Sequence, residues 1–472
     1  MKNTYIYLIS VLFLLNFSIQ LSAQKDSVNY QVSMDGIAST GLYSPFWFQS
    51  DQYGSVSIKP NSANFSIEAF KDFSHPNRLI DYGFKIDALL QSDNVKSNLY
   101  FRELYVKSRL LVFGLSIGMR EEIYGNQDST LSSGGLLFSR NSRPIPKIWA
   151  GIENFTAIPY TKGLLEVKGG ISHGVFIDNN LAENALLHHK YMYVRLGGNL
   201  PVKIQYGLEH VAQWGGFIPA YGQQPEGFSA FKTIFLGKSG GSDATLNDQL
   251  NALGNHIISQ SMKLEFQIAD FKINTYWQNV NEDGPIKVIW KSMNVSDGLW
   301  GVSVKNNKFP IVKGILYEYL NTTDQSGPYH DKDGIVYGGT DTYLTNGIYQ
   351  AGWTFFSRTI GTPFLSSPFY NTNGEQKIIN TRVQAHHFGI EGEFYSFKYR
   401  ALASFTKNYG SYYQAYNPML RNNSFLFEMN KKFKQLYDIE AGISVGADIG
   451  DFYGNSYGLK ICLRKTGNLF KY

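Results

Sequence analysis

Residues 257–268 read IISQSMKLEFQI, and this stretch decides the fold because its apolar and polar side chains alternate. Successive side chains of a β-strand point to opposite faces. Met262 and Leu264 therefore lie on an apolar face, and Ser261 and Lys263 lie on a polar one. Repeated along a chain that has no long apolar helix, this pattern predicts a barrel with lipid outside and water inside.

The same alternation recurs in four other segments, which are residues 80–88, 165–177, 202–213 and 439–449. One such strand is equally typical of a half-buried sheet in a soluble protein. The repetition is what favours the barrel.

The connections between these strands fall into two classes, and short ones interleave with long ones. Outer-membrane barrels have short periplasmic turns and longer external loops, and bacterial ones have an even number of strands. Counting from residues 28–39 as the first strand, we predict an all-β fold, a transmembrane antiparallel β-barrel of about eighteen strands. The long connections, which we expect to plug part of the lumen together with short helices, are 120–147, 178–187, 214–256, 282–297, 323–380 and 408–422.

The composition fits a membrane protein that does not bind nucleic acid. Only 17% of the 472 residues are charged, whereas soluble domains average about 25%. The net charge of +5 is small, and no cluster of Lys and Arg marks a nucleic-acid surface. Beyond the N-terminus no run of 18 apolar residues occurs, which excludes a helical membrane protein.

The N-terminus predicts export. Lys2 precedes the apolar residues 5–15, and the small residues Ser22 and Ala23 then form a cleavage site. We therefore predict a signal peptide over residues 1–23, a barrel domain over residues 24–472, and location in the cell outer membrane.

Cysteine and histidine offer little chemistry. With Cys462 as the single cysteine, no internal disulfide can form. The adjacent pairs His188-His189 and His386-His387 lie in strands, so their side chains point to opposite faces and cannot chelate one ion together. We expect no metal, no cofactor and no catalytic residues.

Three long phrases carry a family resemblance. They are SGGLLFSRNSRPIPKIWAGIENFTAIPY (133–160), LLHHKYMYVRLGGNLPVKIQYGLEHVAQWGG (186–216) and DQLNALGNH (248–256). The chain resembles the capsule-assembly Wzi family, particularly its Bacteroidetes branch. The resemblance implies an outer-membrane barrel with a lectin-like role, which holds capsular or other surface polysaccharide at the cell exterior.

Glycan binding requires aromatic faces for sugar C–H groups and fixed donors for hydroxyls or carboxylates. Arg140 and Arg143, with Asn141 between them, offer such donors, because guanidinium groups bind both oxygens of a carboxylate. Trp214 and Tyr221 offer stacking surfaces. The alternatives are an ion pair inside the plug for the arginines, and a place in the interfacial aromatic belt for the tryptophan.

The sequence leaves two other classes of function open. One is a porin or substrate channel. The other is a barrel enzyme that uses His210, which lies on the apolar face of its strand, although no serine motif accompanies it. The leading interpretation is a non-catalytic, monomeric outer-membrane lectin whose partners are capsular or exopolysaccharide and membrane lipid.

Residues 245–256, TLNDQLNALGNH, predict a short helix that plugs the lumen.

Overall fold

One antiparallel sheet dominates the computed structural model. The model describes residues 27–74, 78–178, 180–250, 252–282, 296–325, 330–332, 335–337 and 342–471. Over these residues, eighteen strands form a single sheet. The predicted signal peptide, residues 1–23, lies outside the described residues.

The eighteen strands, labelled here in chain order, are 7 to 19 residues long. They are β1 Ser27–Ser39, β2 Ser62–Lys71, β3 Ile80–Asp93, β4 Ser97–Leu110, β5 Phe113–Met119, β6 Lys147–Ala157, β7 Leu165–Val175, β8 Leu186–Leu196, β9 Val202–Trp214, β10 Asn255–Ile268, β11 Phe271–Asn281, β12 Gly298–Asn306, β13 Gly314–Asn321, β14 Val383–Phe394, β15 Phe397–Gly410, β16 Ala415–Phe433, β17 Ile439–Gly450 and β18 Ser456–Lys471.

The sheet is closed. Each strand pairs with the next one along the chain, and β1 pairs with β18 from Ser27 opposite Lys471 to Ser39 opposite Gly458. Closure leaves no sheet edge, so every strand has a partner on both sides. The predicted eighteen-stranded β-barrel is confirmed.

Along much of the barrel wall, inward side chains are polar and outward ones are apolar. On β10, the inward Ser261 is 1% exposed while the outward Met262 is 43% exposed. Ile67, Val106 and Phe427 on other strands are likewise exposed on the outer wall. A soluble protein buries its apolar face, so this reversed arrangement places lipid around the barrel.

The two ends of the barrel differ. At one end, the turn end, the connections span two to eight residues, for example 111–112 and 72–79. At the other, the loop end, lie the long connections. One predicted long loop, 408–422, is wrong: β15 and β16 extend so far that only residues 411–414 connect them.

The helices are short. They are α1 Phe46–Gln49, α2 Gly227–Leu236, α3 Leu246–Leu250 and the 3-10 turns Pro368–Tyr370 and Lys434–Leu436. Within the described residues, no helix is long and apolar enough to cross a membrane. The helix predicted within residues 245–256 is present as α3. Its predicted place in the lumen is wrong, because the flanking Ala244 and Leu253 pack with Trp214 on the outer wall.

Three connections at the loop end fold into the lumen instead and plug it. They are 40–61, which contains α1, 120–146, and the described part of 322–382, which contains the two-stranded ribbon Thr354–Phe355 with Arg358–Thr359. Their side chains Phe46, Leu136 and Trp353 are almost fully buried in one apolar cluster. The barrel thus holds its apolar core inside the lumen.

Two glycines of the wall make room for this plug. A Cβ atom on Gly446 would lie 2.8 Å from Phe48 and 3.0 Å from Pro45, and one on Gly458 would lie 2.9 Å from both. No side chain fits at such distances, so β17 and β18 carry glycine where α1 presses against them.

We predict that Gly446→Val displaces α1 and increases ion conductance in planar bilayers, because the added methyl groups clash with Phe48 and Pro45. Gly36→Val is the matched control, since nothing lies within 4 Å of a Cβ atom there. Equal conductance of the two folded variants would show that α1 does not help to close the lumen.

Candidate functional site: the plug and its arginines

The lumen has an apolar half and a charged half. Near the loop end, inward residues of the wall such as Ile37, Val211 and Val383 are apolar and pack on the plug. Toward the turn end, the inward residues form ion pairs of mixed sign, as predicted. Short ones join Lys85 Nζ to Glu103 Oε2 (2.6 Å), Arg102 Nε to Asp87 Oδ2 (2.6 Å), Lys305 Nζ to Asp128 Oδ2 (2.9 Å) and Arg400 Nη2 to Glu428 Oε2 (2.5 Å).

Buried polar side chains of the wall hold loop 120–146 in place. The backbone N–H of Ser133 donates to Glu318 Oε2 (2.8 Å), and the N–H of Leu136 donates to Gln278 Oε1 (2.8 Å). His387 Nε2 lies 2.8 Å from the Leu131 carbonyl. Because these wall groups are removed from water, each unmade bond would be costly, and the loop has one favoured position.

Arg143 lies on the loop-end side of the plug between two aromatic rings. Its Cζ atom is 3.6 Å from the ring centroid of Tyr100 and 4.4 Å from that of Phe356, which is itself exposed. Among the described residues no carboxylate pairs with it, and burial lowers the pKa of Arg143. Gly54, with φ +63°, passes so close that a Cβ there would lie 2.9 Å from Arg143 Cγ.

Arg140 points the other way, into the charged half. Its Nη1 donates to the Ser129 carbonyl (2.8 Å), and its Nη2 lies 3.6 Å from Asp51 Oδ2. Arg140 and Asp51 border a cavity of about 280 Å³ that Arg102 and Arg400 also line. Sequence reasoning treated Arg140 and Arg143 as one ligand-binding pair, and the structure separates them.

Two carboxyl groups, the buried Asp51 and the half-buried Glu121, line this cavity. Burial raises the pKa of Asp51 to about 6, although the nearby Arg140 opposes the shift. Burial likewise raises the pKa of Glu121 to about 7, against the opposing effect of Arg102. Neither oxygen of Asp51 accepts a hydrogen bond from any described group. Sequence patterns did not single out Asp51, since no neighbouring residue marks it.

The other predicted site residues lie apart from one another. Asn141 is buried, and its Nδ2 donates to the Thr359 carbonyl (3.0 Å), so it ties two plug loops together. Trp214 is buried beneath α2. Tyr221 is exposed at the loop end, with its hydroxyl 3.4 Å from the Gly347 carbonyl. Their role in glycan binding stays a prediction.

The adjacent histidines of one strand lie on opposite faces of the wall, as His188 and His189 show. His210 lies on the outer wall, where its Nε2 is 2.7 Å from Nδ1 of His256. Within the described part of the chain, no three His, Cys, Asp or Glu side chains are placed to hold a metal ion.

The arrangement as a whole is that of an outer-membrane β-barrel with a plugged lumen. Among solved structures, the chain is similar to Wzi of Escherichia coli, an outer membrane protein involved in group 1 capsule assembly and described as a carbohydrate binding β-barrel. The two share 13% sequence identity with a TM-score of 0.60, over 96% of this chain and 87% of that chain. At this identity, the likeness concerns the fold alone.

Two further solved structures cover most of this chain at lower similarity. OprD of Pseudomonas aeruginosa is 8% identical with a TM-score of 0.47, over 96% of this chain and 99% of its own. OccAB2 of Acinetobacter baumannii is 11% identical with a TM-score of 0.48, over 94% and 98%. No protein-family model matches the chain, and neither does any curated protein.

We predict that Asp51→Asn stabilises the protein increasingly as the pH rises from 3.8 to about 6. The folded-state pKa is raised, so the ionised form destabilises the fold above that range, by roughly 3 kcal/mol at most, and both states are neutral below it. Thermal unfolding in detergent over this pH range measures the difference from the natural sequence.

Asp128→Asn is the control of opposite sign. Although burial opposes it, hydrogen bonds from the Leu131 and Thr130 N–H groups and the ammonium of Lys305 hold the pKa of Asp128 below its ordinary value. Its removal should therefore destabilise the fold at high pH. A constant difference between Asp51→Asn and the natural sequence at all pH values would show that Asp51 does not titrate as described.

Proposed function

We propose that this protein is a non-catalytic outer-membrane barrel that binds capsular or other surface polysaccharide and retains it at the cell exterior. Three features support the proposal: the fold shared with Wzi of Escherichia coli, the plugged lumen, and a cation held between aromatic rings on the loop-end side of the plug. Membership of the Wzi family and of its Bacteroidetes branch belongs to the same proposal, as do the signal peptide and the monomeric state.

The observation that carries the proposal is the placement of Arg143. Capsules are often acidic, and a guanidinium group binds both oxygens of a carboxylate. Tyr100 and Phe356 hold the group in place without neutralising it. One of its N–H groups is hydrogen-bonded to Tyr100, and the others remain for a ligand. The exposed ring of Phe356 adds an apolar surface for sugar C–H groups.

The remaining predicted residues take different parts in this proposal. Tyr221 is exposed at the same end and extends the binding surface. Asn141 positions the loop that carries Arg143, and Trp214 anchors α2. Arg140 faces the cavity in the charged half, where it binds a glycan only if the chain reaches below the plug.

A channel is the second interpretation. Charged side chains line the half of the lumen nearer the turn end, which suits water and ions there. The apolar cluster across the other half opposes continuous passage. Near-zero conductance of the natural sequence in planar bilayers favours the lectin, and steady conductance favours the channel.

We predict that Arg143→Ala reduces the capture of acidic polysaccharide by detergent-extracted protein about tenfold, since a hydrogen bond to a charged group contributes about 1.5 to 3 kcal/mol. Arg140→Ala, the matched control on the same loop, should retain most of the binding. Equal capture by Arg143→Ala and the natural sequence would show that Arg143 is not part of the binding site. Loss of capture only in Arg140→Ala would place the site at the cavity in the charged half of the lumen.

We also expect deletion of the gene to leave polysaccharide export intact while polysaccharide moves from the cell surface into the medium. The reason is that a retaining protein acts after export. Assay of cell-bound and released polysaccharide tests this expectation. Unchanged cell-bound polysaccharide in the deletion strain would contradict the proposed function.

A further inference from the structure

Part of one connection at the loop end, residues 227–250, folds down the outside of the barrel. The outward side chains His188 on β8 and Ala212 and Trp214 on β9 should face lipid, yet all three are buried. They are covered by α2, whose Ala230 and Ile234 pack in the same cluster as Ala212 and Trp214.

Aromatic contacts and one hydrogen bond fix α2 against the wall. The ring of Phe231 lies 6.2 Å from that of Trp214 and 5.5 Å from that of His188. Lys190, the next outward residue of β8, donates to the carbonyl of Phe235 near the end of α2. The helix therefore lies beside the barrel wall rather than above its mouth.

This position brings α2 to the border of the apolar belt. Met192 is the outward residue that follows Lys190 on β8, and it is 60% exposed. Further along the wall, the outward Tyr206 on β9 and Met262, its partner on β10, are 39% and 43% exposed. The lipid-facing belt thus begins where the cover provided by α2 ends.

The far side of the segment is apolar as well. Residues 228, 232 and 236 share the helix face opposite to Ala230 and Ile234, because they are spaced by four. Phe228, which is 81% exposed, and Leu236 stand on this face with Lys232 between them. On α3, Leu246 and Leu250 form a second exposed pair at the same spacing.

We propose that residues 227–250 form a flap that lies in the outer interface of the membrane, with Phe228, Leu236, Leu246 and Leu250 inserted among lipid chains. The partner is lipid, because the exposed stripe continues the lipid-facing belt that starts at Met192. A helix that exposes apolar residues with a lysine between them suits interfacial binding, since the lysine stem lies along the apolar region while its ammonium reaches the head groups.

Depth-dependent quenching tests the flap in the full-length protein. Cys462→Ser provides a background without native cysteine. Leu236→Cys and, separately, Leu250→Cys are labelled with an environment-sensitive fluorophore, and each protein is inserted into phosphatidylcholine vesicles. Some vesicles contain phosphatidylcholine brominated near the head-group end of its acyl chains. Tyr413→Cys, in the exposed connection 411–414 of the same barrel end, is the matched control.

Both flap labels should be quenched by the brominated lipid and show blue-shifted emission, whereas the Tyr413 label should show neither effect. Phe228→Cys gives a third position on the same stripe if either leucine variant fails to insert. Unquenched emission from the flap labels, equal to that of the Tyr413 label, would overturn the proposal. That result would indicate that the exposed apolar residues of α2 and α3 bind a partner in the aqueous phase instead.

Discussion

Backbone N–H and C=O groups that face lipid must find their partners inside the protein, because hydrocarbon offers none. The pairing of β1 with β18 satisfies this constraint for the last open edges. Everything else in the structure follows from that closure. Once the strands form a ring, one face of each must meet lipid and the other must meet the lumen, and the chain's alternating composition matches the two environments.

Closure also creates a space that the loops must fill or leave open. Here the loops fill the half near the loop end with an apolar cluster built around Phe46, Leu136 and Trp353. The wall supplies glycine where the plug presses against it and polar side chains where plug backbone needs partners. The other half keeps its ion pairs, so the polar and apolar regions of the lumen are separated along the barrel axis.

The same division explains why the two arginines of one loop have different surroundings. Arg143 lies between the aromatic rings of Tyr100 and Phe356 near the loop end. Arg140, three residues earlier, reaches the charged half beside Asp51. A loop that crosses from one half to the other can thus present a cation to each. The sequence identified the loop and its two arginines, but it could not show that the two side chains point in different directions.

The sequence by itself determined most of the strands, their approximate number and which side chains point away from the lumen, although it ended β15 and began β16 several residues too far from their true hairpin. These features depend on alternation between neighbouring residues, which is a local pattern. Only the tertiary structure decided that loop 120–146 lies inside the barrel while residues 227–250 lie outside it. It alone brought Phe356 to Arg143 and α2 to Trp214. Both loops contain apolar side chains, and either the lumen or the outer wall can remove those side chains from water. Contacts between segments far apart in the chain therefore made the choice.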